Sequence, residues 1–154
     1  MKKLLFICIA CLMELTMQAQ IVDLGLPSGT LWNVTNESGF YDYDSAVRKY
    51  GNKLPTLDQW KELNRFCKWE WIGNGYKVSG KNGKFIFLPA AGERHCDGNK
   101  YRYVGSRGYY WSSTPCDSGE AWAISFGLDG TSIARMSTGR DALCYGKSVH
   151  LVNN

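Results

Sequence analysis

Gly108-Tyr-Tyr-Trp-Ser-Ser-Thr-Pro-Cys-Asp-Ser-Gly-Glu-Ala-Trp-Ala-Ile-Ser-Phe126 is the stretch on which the fold turns. Tyr109, Trp111 and Ser113 fall on one face of an extended chain, Tyr110 and Ser112 on the other. After the break at Pro115–Gly119, Trp122, Ile124 and Phe126 alternate with Ala121, Ala123 and Ser125. A period of two on both sides of one turn predicts a hairpin in a half-buried antiparallel sheet.

Upstream of the hairpin, Tyr76–Val78 and Phe85–Leu88 read as two more strands. Asn82-Gly83 between them supplies the positive φ of a tight turn. Thr56 followed by Gln59 is a capping box, and Leu57, Trp60, Leu63 and Cys67 then share one helical face. Pro55 keeps Leu54 extended before that helix. Asp44–Tyr50 reads as a shorter helix with Asp44 at its start and Gly51 at its end. Ile21–Leu24 and Thr30–Trp32 are short extended segments around a Pro27-Ser-Gly29 turn.

Residues Glu93–Arg107 are polar and glycine-punctuated and predict a long loop. Beyond the hairpin, 131–136 reads as a strand, 137–142 as a loop and Tyr145–Val152 as the final strand. Helices early and antiparallel strands late define an α+β class.

The chain opens with Met1-Lys-Lys, then an apolar run from Leu4 to Met13, then Met17-Gln-Ala19. Those features predict a signal peptide over residues 1–19 and a single domain over 20–154. An alternative cut before Cys11 would leave a lipid anchor on that cysteine. Beyond the leader no segment approaches the length of a membrane span. The mature chain is therefore expected outside the cytoplasm: periplasmic, at the cell surface or secreted. The net charge of +4 is mild, and the basic residues are scattered. With no basic helical stripe interleaved with aromatics, nucleic acid is not an expected partner.

Of the six cysteines, Cys8 and Cys11 fall in the leader, leaving Cys67, Cys96, Cys116 and Cys144. Four cysteines allow three pairings. A Cys96–Cys116 bridge would staple the long loop to the hairpin tip, and Cys67 reads as a buried thiol. His95, Cys96, Cys116, Cys144 and His150 lack the spacing of a zinc site, so no metal and no cofactor are expected. His150 is expected to pack at the end of the last strand and His95 to face solvent. No nucleophile-elbow pattern surrounds any serine.

Five pieces occur in order: Val22-Asp-Leu-Gly-Leu-Pro-Ser-Gly-Thr-Leu-Trp32, Leu54-Pro-Thr-Leu-Asp-Gln-Trp60, Ile86-Phe-Leu-Pro-Ala-Ala-Gly92, Tyr110-Trp-Ser-Ser-Thr114 and Tyr145-Gly-Lys-Ser-Val149. Together they resemble the Fibrobacter major paralogous domain family of secreted bacterial proteins. The resemblance covers nearly all of residues 21–152. It implies a C-type-lectin-like fold, related to the formylglycine-generating enzymes, with two helices flanking a twisted antiparallel sheet and the chain ends together. Two departures stand out: His150 occupies a position where the family usually has Arg, and the insert after the first Trp strand is short.

The enzymes of that superfamily use a closely spaced cysteine pair to bind copper, and soft Cu(I) requires such thiolates. Cys116 and Cys144 are far apart in sequence, so that activity is not expected. The sugar-binding signatures of calcium-dependent lectins are absent as well. Asp97-Gly-Asn99 and Asp117-Ser-Gly-Glu120 carry calcium-type oxygens but read as polar turns.

The reading that follows is a non-enzymatic, exported binding domain. Tyr101, Arg102, Tyr103, Arg107, Tyr109, Asp117 and Glu120 are its expected ligand-binding residues, because exposed rings with polar neighbours suit carbohydrate or protein ligands. The ligand face would be built from loops 93–107, 113–120 and 137–142. A structural or adhesive component that assembles with other surface proteins is the alternative, and an enzyme with a convergent site the minor one. Asn33-Val-Thr35, Asn36-Glu-Ser38 and Asp44-Ser-Ala46 match glycosylation patterns that arise by chance in such a chain.

Overall fold

The computed structural model describes residues 20–116, 120–128 and 139–154. The leader at 1–19 with Cys11, the strand expected at 131–136, and Asp117 lie outside those residues. Among the described residues no helix is long and apolar enough to cross a membrane.

The chain begins with β1 (Ile21–Asp23) and β2 (Leu31–Asn33), then α1 (Tyr43–Tyr50), a single 3-10 turn at Gly51–Lys53, and α2 (Leu57–Phe66). Strands β3 (Lys68–Trp71), β4 (Gly75–Ser79) and β5 (Phe85–Pro89) follow as an antiparallel meander. Next come a short ribbon, β6 (Glu93–Arg94) and β7 (Tyr101–Arg102), and the long hairpin β8 (Arg107–Pro115) and β9 (Glu120–Gly127). β10 (Gly139–Ala142) pairs with β9, and β11 (Val152–Asn153) closes the chain. This is an α+β architecture with several small antiparallel sheets rather than one. The order β1-β2-β11 places the first and last strands in one sheet.

The capping box is present as read. Thr56 Oγ1 accepts from Gln59 N at 3.2 Å, and Thr56 N donates to Gln59 Oε1 at 2.9 Å. Two of the helix's orphan donors are thereby satisfied. Leu57, Trp60 and Leu63 are buried, and Trp32 meets Trp60 edge-on at 5.0 Å. Burying each such side chain stabilises by about 1.5–3 kcal/mol.

Helix α1 starts earlier than expected. Asp42, not Asp44, is its cap, with Oδ1 accepting from Ser45 N at 2.8 Å and Oδ2 from Ser45 Oγ at 3.0 Å. Asp42 is extended and so aims its carboxylate back at the first turn, whereas Asp44 lies within the helix and is exposed. Ser45 of the chance Asp44-Ser-Ala46 match gives its hydroxyl to Asp42, and Asn33 of the first sequon is buried.

The hairpin is buried on both faces, which corrects the half-buried expectation. Tyr110, Ile124 and Phe126 join Trp32, Trp60, Val78, Ile86 and Leu88 in one core. Trp111, Ala121 and Ala123 join Ala46, Leu54, Val149 and Leu151 in a second. Ala123 lies opposite Trp111 and Ala121 opposite Pro115. Their small size is what lets a second layer approach.

Lys68–Trp71 is a strand, pairing Trp69 with Val78 and Trp71 with Tyr76. Two further expectations change. Gly139–Ala142, expected as loop, is the strand β10. Tyr145–Val152 is not one strand. Gly146, Lys147 and Ser148 make isolated bridges to Arg94, Tyr41 and Tyr110, and only Val152–Asn153 joins a sheet. A segment contacting three different partners cannot hold one ladder.

Candidate functional site

The expected long loop is an ordered ribbon that returns on itself. Gly92 opens it at φ 75°, where a Cβ would run into the Arg102 carbonyl oxygen. Only glycine permits that approach. Glu93 then faces Arg102, and Arg94 faces Tyr101. At the turn, Asp97 Oδ1 accepts from Asn99 N at 2.9 Å and from Lys100 N at 3.3 Å. Those bonds hold its carboxyl below the usual carboxylate range, the Asn99 amide being the main cause. Asp97 is thus a turn former. Among the described residues no three His, Cys, Asp or Glu side chains converge as metal ligands would.

The ribbon is fixed to the body at three points. Arg94 N donates to the Gly146 carbonyl at 2.8 Å, and Gly146 N returns the bond at 2.9 Å. Two residues farther along this antiparallel register, Cys96 meets Cys144 in a disulfide with a Cα–Cα distance of 5.0 Å. This corrects the Cys96–Cys116 expectation: a bridge between distant segments, not loop position, sets the pairing. Cys116 and Cys67 are free and half-buried, and burial pushes the Cys67 thiol up to about 11. Closing a loop of 48 residues stabilises by about 4 kcal/mol in the chain-entropy account.

The third point is an ion pair that the sequence reading did not single out. Lys147 Nζ lies 2.9 Å from Glu93 Oε2, with Lys147 fully buried and Glu93 7% exposed. The ammonium also sits 4.9 Å from the Tyr109 ring centre, 5.1 Å from Trp111 and 5.5 Å from Tyr145. A buried cation needs such compensation, and removing its partner leaves a bare charge. The usable signal was Lys147 inside the otherwise non-ionic run Tyr145-Gly-Lys-Ser-Val149.

Above this base Arg102, Tyr103, Arg107 and Tyr109 of the expected binding residues come together, while Tyr101 packs on Phe40 at 5.4 Å. Arg102 stacks over Tyr145 at 6.0 Å, Arg107 over Tyr103 at 5.7 Å, and Tyr103 lies 6.0 Å from Tyr109. Tyr101 is 56% exposed and Tyr103 48% exposed, while Tyr109 is half-buried and its phenol is pushed up by burial. Tyr103 has φ 60°, the one non-glycine residue with positive φ among those described. Its carbonyl accepts from Ser106 N, Ser106 Oγ and Arg107 N at 2.9–3.0 Å, and these bonds hold the turn. An aromatic residue in the left-handed region costs about 1–2 kcal/mol. The expenditure presents a ring to solvent rather than to the core.

Glu120 is not brought to Arg107 or Tyr109. Arg107 pairs with Gly127, whereas Glu120 opens the same strand about 23 Å away at 3.3 Å per residue. Asp117 lies outside the described residues. His95 is only partly exposed, edge-on to Tyr145 at 5.4 Å and 3.3 Å from Asp97.

His150 is buried, as expected. Nε2 donates to the Asn33 carbonyl at 2.6 Å, since that oxygen can only accept, and Nδ1 lies 2.7 Å from Asn36 Oδ1. Burial pushes its pKa down to about 4. A wider groove of about 580 Å³ runs between Gln20–Asp23 and the β4–β5 turn, lined by Val34, Lys84 and Phe85 as well. Compared with protein-family models, curated proteins and solved structures, the chain matches none.

Proposed function

We propose that this chain is an exported, non-enzymatic binding domain of the Fibrobacter major paralogous domain type with a C-type-lectin-like fold, acting in the periplasm, at the cell surface or after secretion. The five ordered sequence pieces and the shared sheet of β1, β2 and β11 support that fold. The binding reading rests above all on one observation: Tyr103 is held exposed at φ 60°, with the Arg107 guanidinium over its ring at 5.7 Å and the Tyr109 ring tilted beside it at 6.0 Å. Rigid rings offer contact area at little entropy cost, and the arginines add directed donors. Carbohydrate or protein surfaces are the ligands such a face suits.

A non-catalytic role is supported by the placement of the histidines. His150 is sealed in the core on Asn33 and Asn36, and His95 leans on Tyr145 and Asp97. A general base must reach the proton that it removes.

The test is an array of glycans and glycoproteins probed with the full chain and with a Tyr101→Ala/Tyr103→Ala variant. Saturable binding lost in the variant is the expected result. Silence with folded protein would turn the reading toward assembly with other surface proteins.

A further inference from the structure

Two sheet edges open onto the groove between Gln20–Asp23 and the β4–β5 turn. β1 ends the order β1-β2-β11 and β5 ends the order β3-β4-β5, so each has one side without a neighbouring strand in its sheet. In an antiparallel ladder, successive residues turn their main-chain groups to opposite sides. Val34 N donates to the Gln20 carbonyl at 2.8 Å, so Gln20 faces β2 and Ile21, one residue on, faces away. Gly80 N donates to the Lys84 carbonyl at 2.9 Å, so Lys84 faces β4 and Phe85 faces away. Residues of the same parity behave alike. The Asp23 carbonyl accepts from Asn82 Nδ2 at 2.9 Å, outside the β1–β2 ladder, and Phe87 N donates to the Val34 carbonyl at 3.3 Å, outside the β4–β5 ladder. Among the described residues the main-chain N–H and C=O of Ile21 and Phe85 have no partner. Both residues line the groove, with 45% and 47% of their surface exposed. Open edges are normally guarded by lysine, proline or a bulge. Here Asn82 caps the edge at Asp23, and Ile21 is left open.

We propose that this groove docks an extended acidic segment of a partner protein by strand addition. Main-chain bonds to Ile21 and Phe85 supply the affinity, and alternate side chains of the added strand supply the specificity. Charge selects the occupant. Lys84 lines the groove, and Lys77 Nζ sits 4.5 Å from the centre of the Phe85 ring. The one carboxylate that lines it, Asp23, already accepts from Gly25 N at 2.7 Å. A glutamate or aspartate on the incoming strand therefore meets Lys84, and an apolar neighbour covers Ile21 and Phe85. β1 and β5 belong to other sheets than the β6–β7 ribbon, so the inference goes beyond the binding reading above and stands or falls apart from it.

The experiment is protein-observed NMR titration, with amide exchange, of the full chain and the capped heptapeptide acetyl-Ser-Val-Glu-Val-Glu-Val-Ser-amide. The comparison probes are the same peptide with lysine for glutamate and the same peptide with N-methylated valines. Ile21→Pro and Lys84→Glu are the variants, and near-ultraviolet circular dichroism reports folding. Ile21→Pro removes an outward N–H without touching the ladder to β2, a place where an edge strand tolerates proline. The acidic peptide is expected to saturate, to protect the Ile21 and Phe85 amides, and to bind about tenfold more tightly than either comparison probe. Ile21→Pro should weaken it about tenfold, and Lys84→Glu should shift the preference to the lysine peptide. Lys84→Glu, on the exposed turn, carries the test if Ile21→Pro does not fold. The proposal is overturned if the acidic peptide does not bind, if N-methylation leaves its affinity unchanged, or if the folded variants bind as the parent does. Protection confined to residues 93–109 would overturn it and assign the peptide to the tyrosine face. Dimers of the chain that the peptide dissociates would overturn it in favour of a second copy.

Discussion

Two aromatic groups in this molecule are built from the same residue types and put to opposite uses. Trp32, Trp60, Tyr110 and Phe126 pack against aliphatic side chains and are essentially closed to solvent. Tyr110 even spends its hydroxyl inward, donating to the Pro89 carbonyl at 2.7 Å and accepting from Asn36 Nδ2 at 3.0 Å. Tyr103, Tyr109 and Tyr145 instead keep company with Arg102, Arg107 and Lys147. The comparison teaches that neighbours as well as aromatic content separate a core from an accessible face. Rings bordered by aliphatics close; of the rings beside Lys147, Trp111 is closed as well, while Tyr109 and Tyr145 keep part of their surface.

Where the two groups meet, Lys147 and Glu93 carry the largest expected effect. Lys147→Ala should cost about 3–5 kcal/mol in urea unfolding, because Glu93 is left buried and unpaired. The joint Lys147→Met/Glu93→Gln replacement should recover most of the loss. A mild single-variant effect would mean that the face is not anchored by this pair.

The closed group can be probed through pH. The folded-state pKa of His150 lies near 4 against an ordinary value of 6.5, so the unfolded chain takes up this proton first as pH falls. The contribution is fully present above pH 6.5 and is lost as pH drops toward 4, amounting to about 3 kcal/mol. Thermal melts across that window should show the loss, and His150→Asn should flatten its slope. A variant melting with the same pH dependence as the parent would assign the effect elsewhere.

Two smaller effects sharpen the contrast. Thr56→Ala removes one half of the capping box and should cost about 1 kcal/mol by denaturant titration, with binding unaffected. Tyr103→Gly releases the left-handed strain and should leave stability within about 1 kcal/mol of the parent or slightly raise it. Binding should nonetheless fall with loss of the ring. A large destabilisation by Tyr103→Gly would place this ring among the structural ones.

The sequence made some of this legible for local reasons. Thr56, Gln59 and the Asn82-Gly83 turn act over a few residues, so α2 and the β4–β5 hairpin could be read directly. Tyr101, Tyr103 and Arg107 could be read as a candidate face because loop polarity and ring exposure go together. What could not be read depends on distant partners. The Cys96–Cys144 bridge follows from the register of Arg94 against Gly146, and nothing near either cysteine encodes it. Ala121 and Ala123 give no sign in the sequence of the layer packed on them, because their small size suits either face. Trp69 and Trp71 alternate with Lys68 and Glu70, a pattern too short to separate a strand from a frayed helix end. Glu93 was read only as the first residue of a loop, since its partner lies 54 residues on.

The measurement that tests the central claim most directly is hydrogen–deuterium exchange of the full chain with and without the strongest ligand from the array. The account predicts added protection at residues 93–109, with exchange in the Trp32–Trp60 core unchanged. Protection confined to the groove at Gln20–Asp23, or none in the ribbon at saturating ligand, would contradict it.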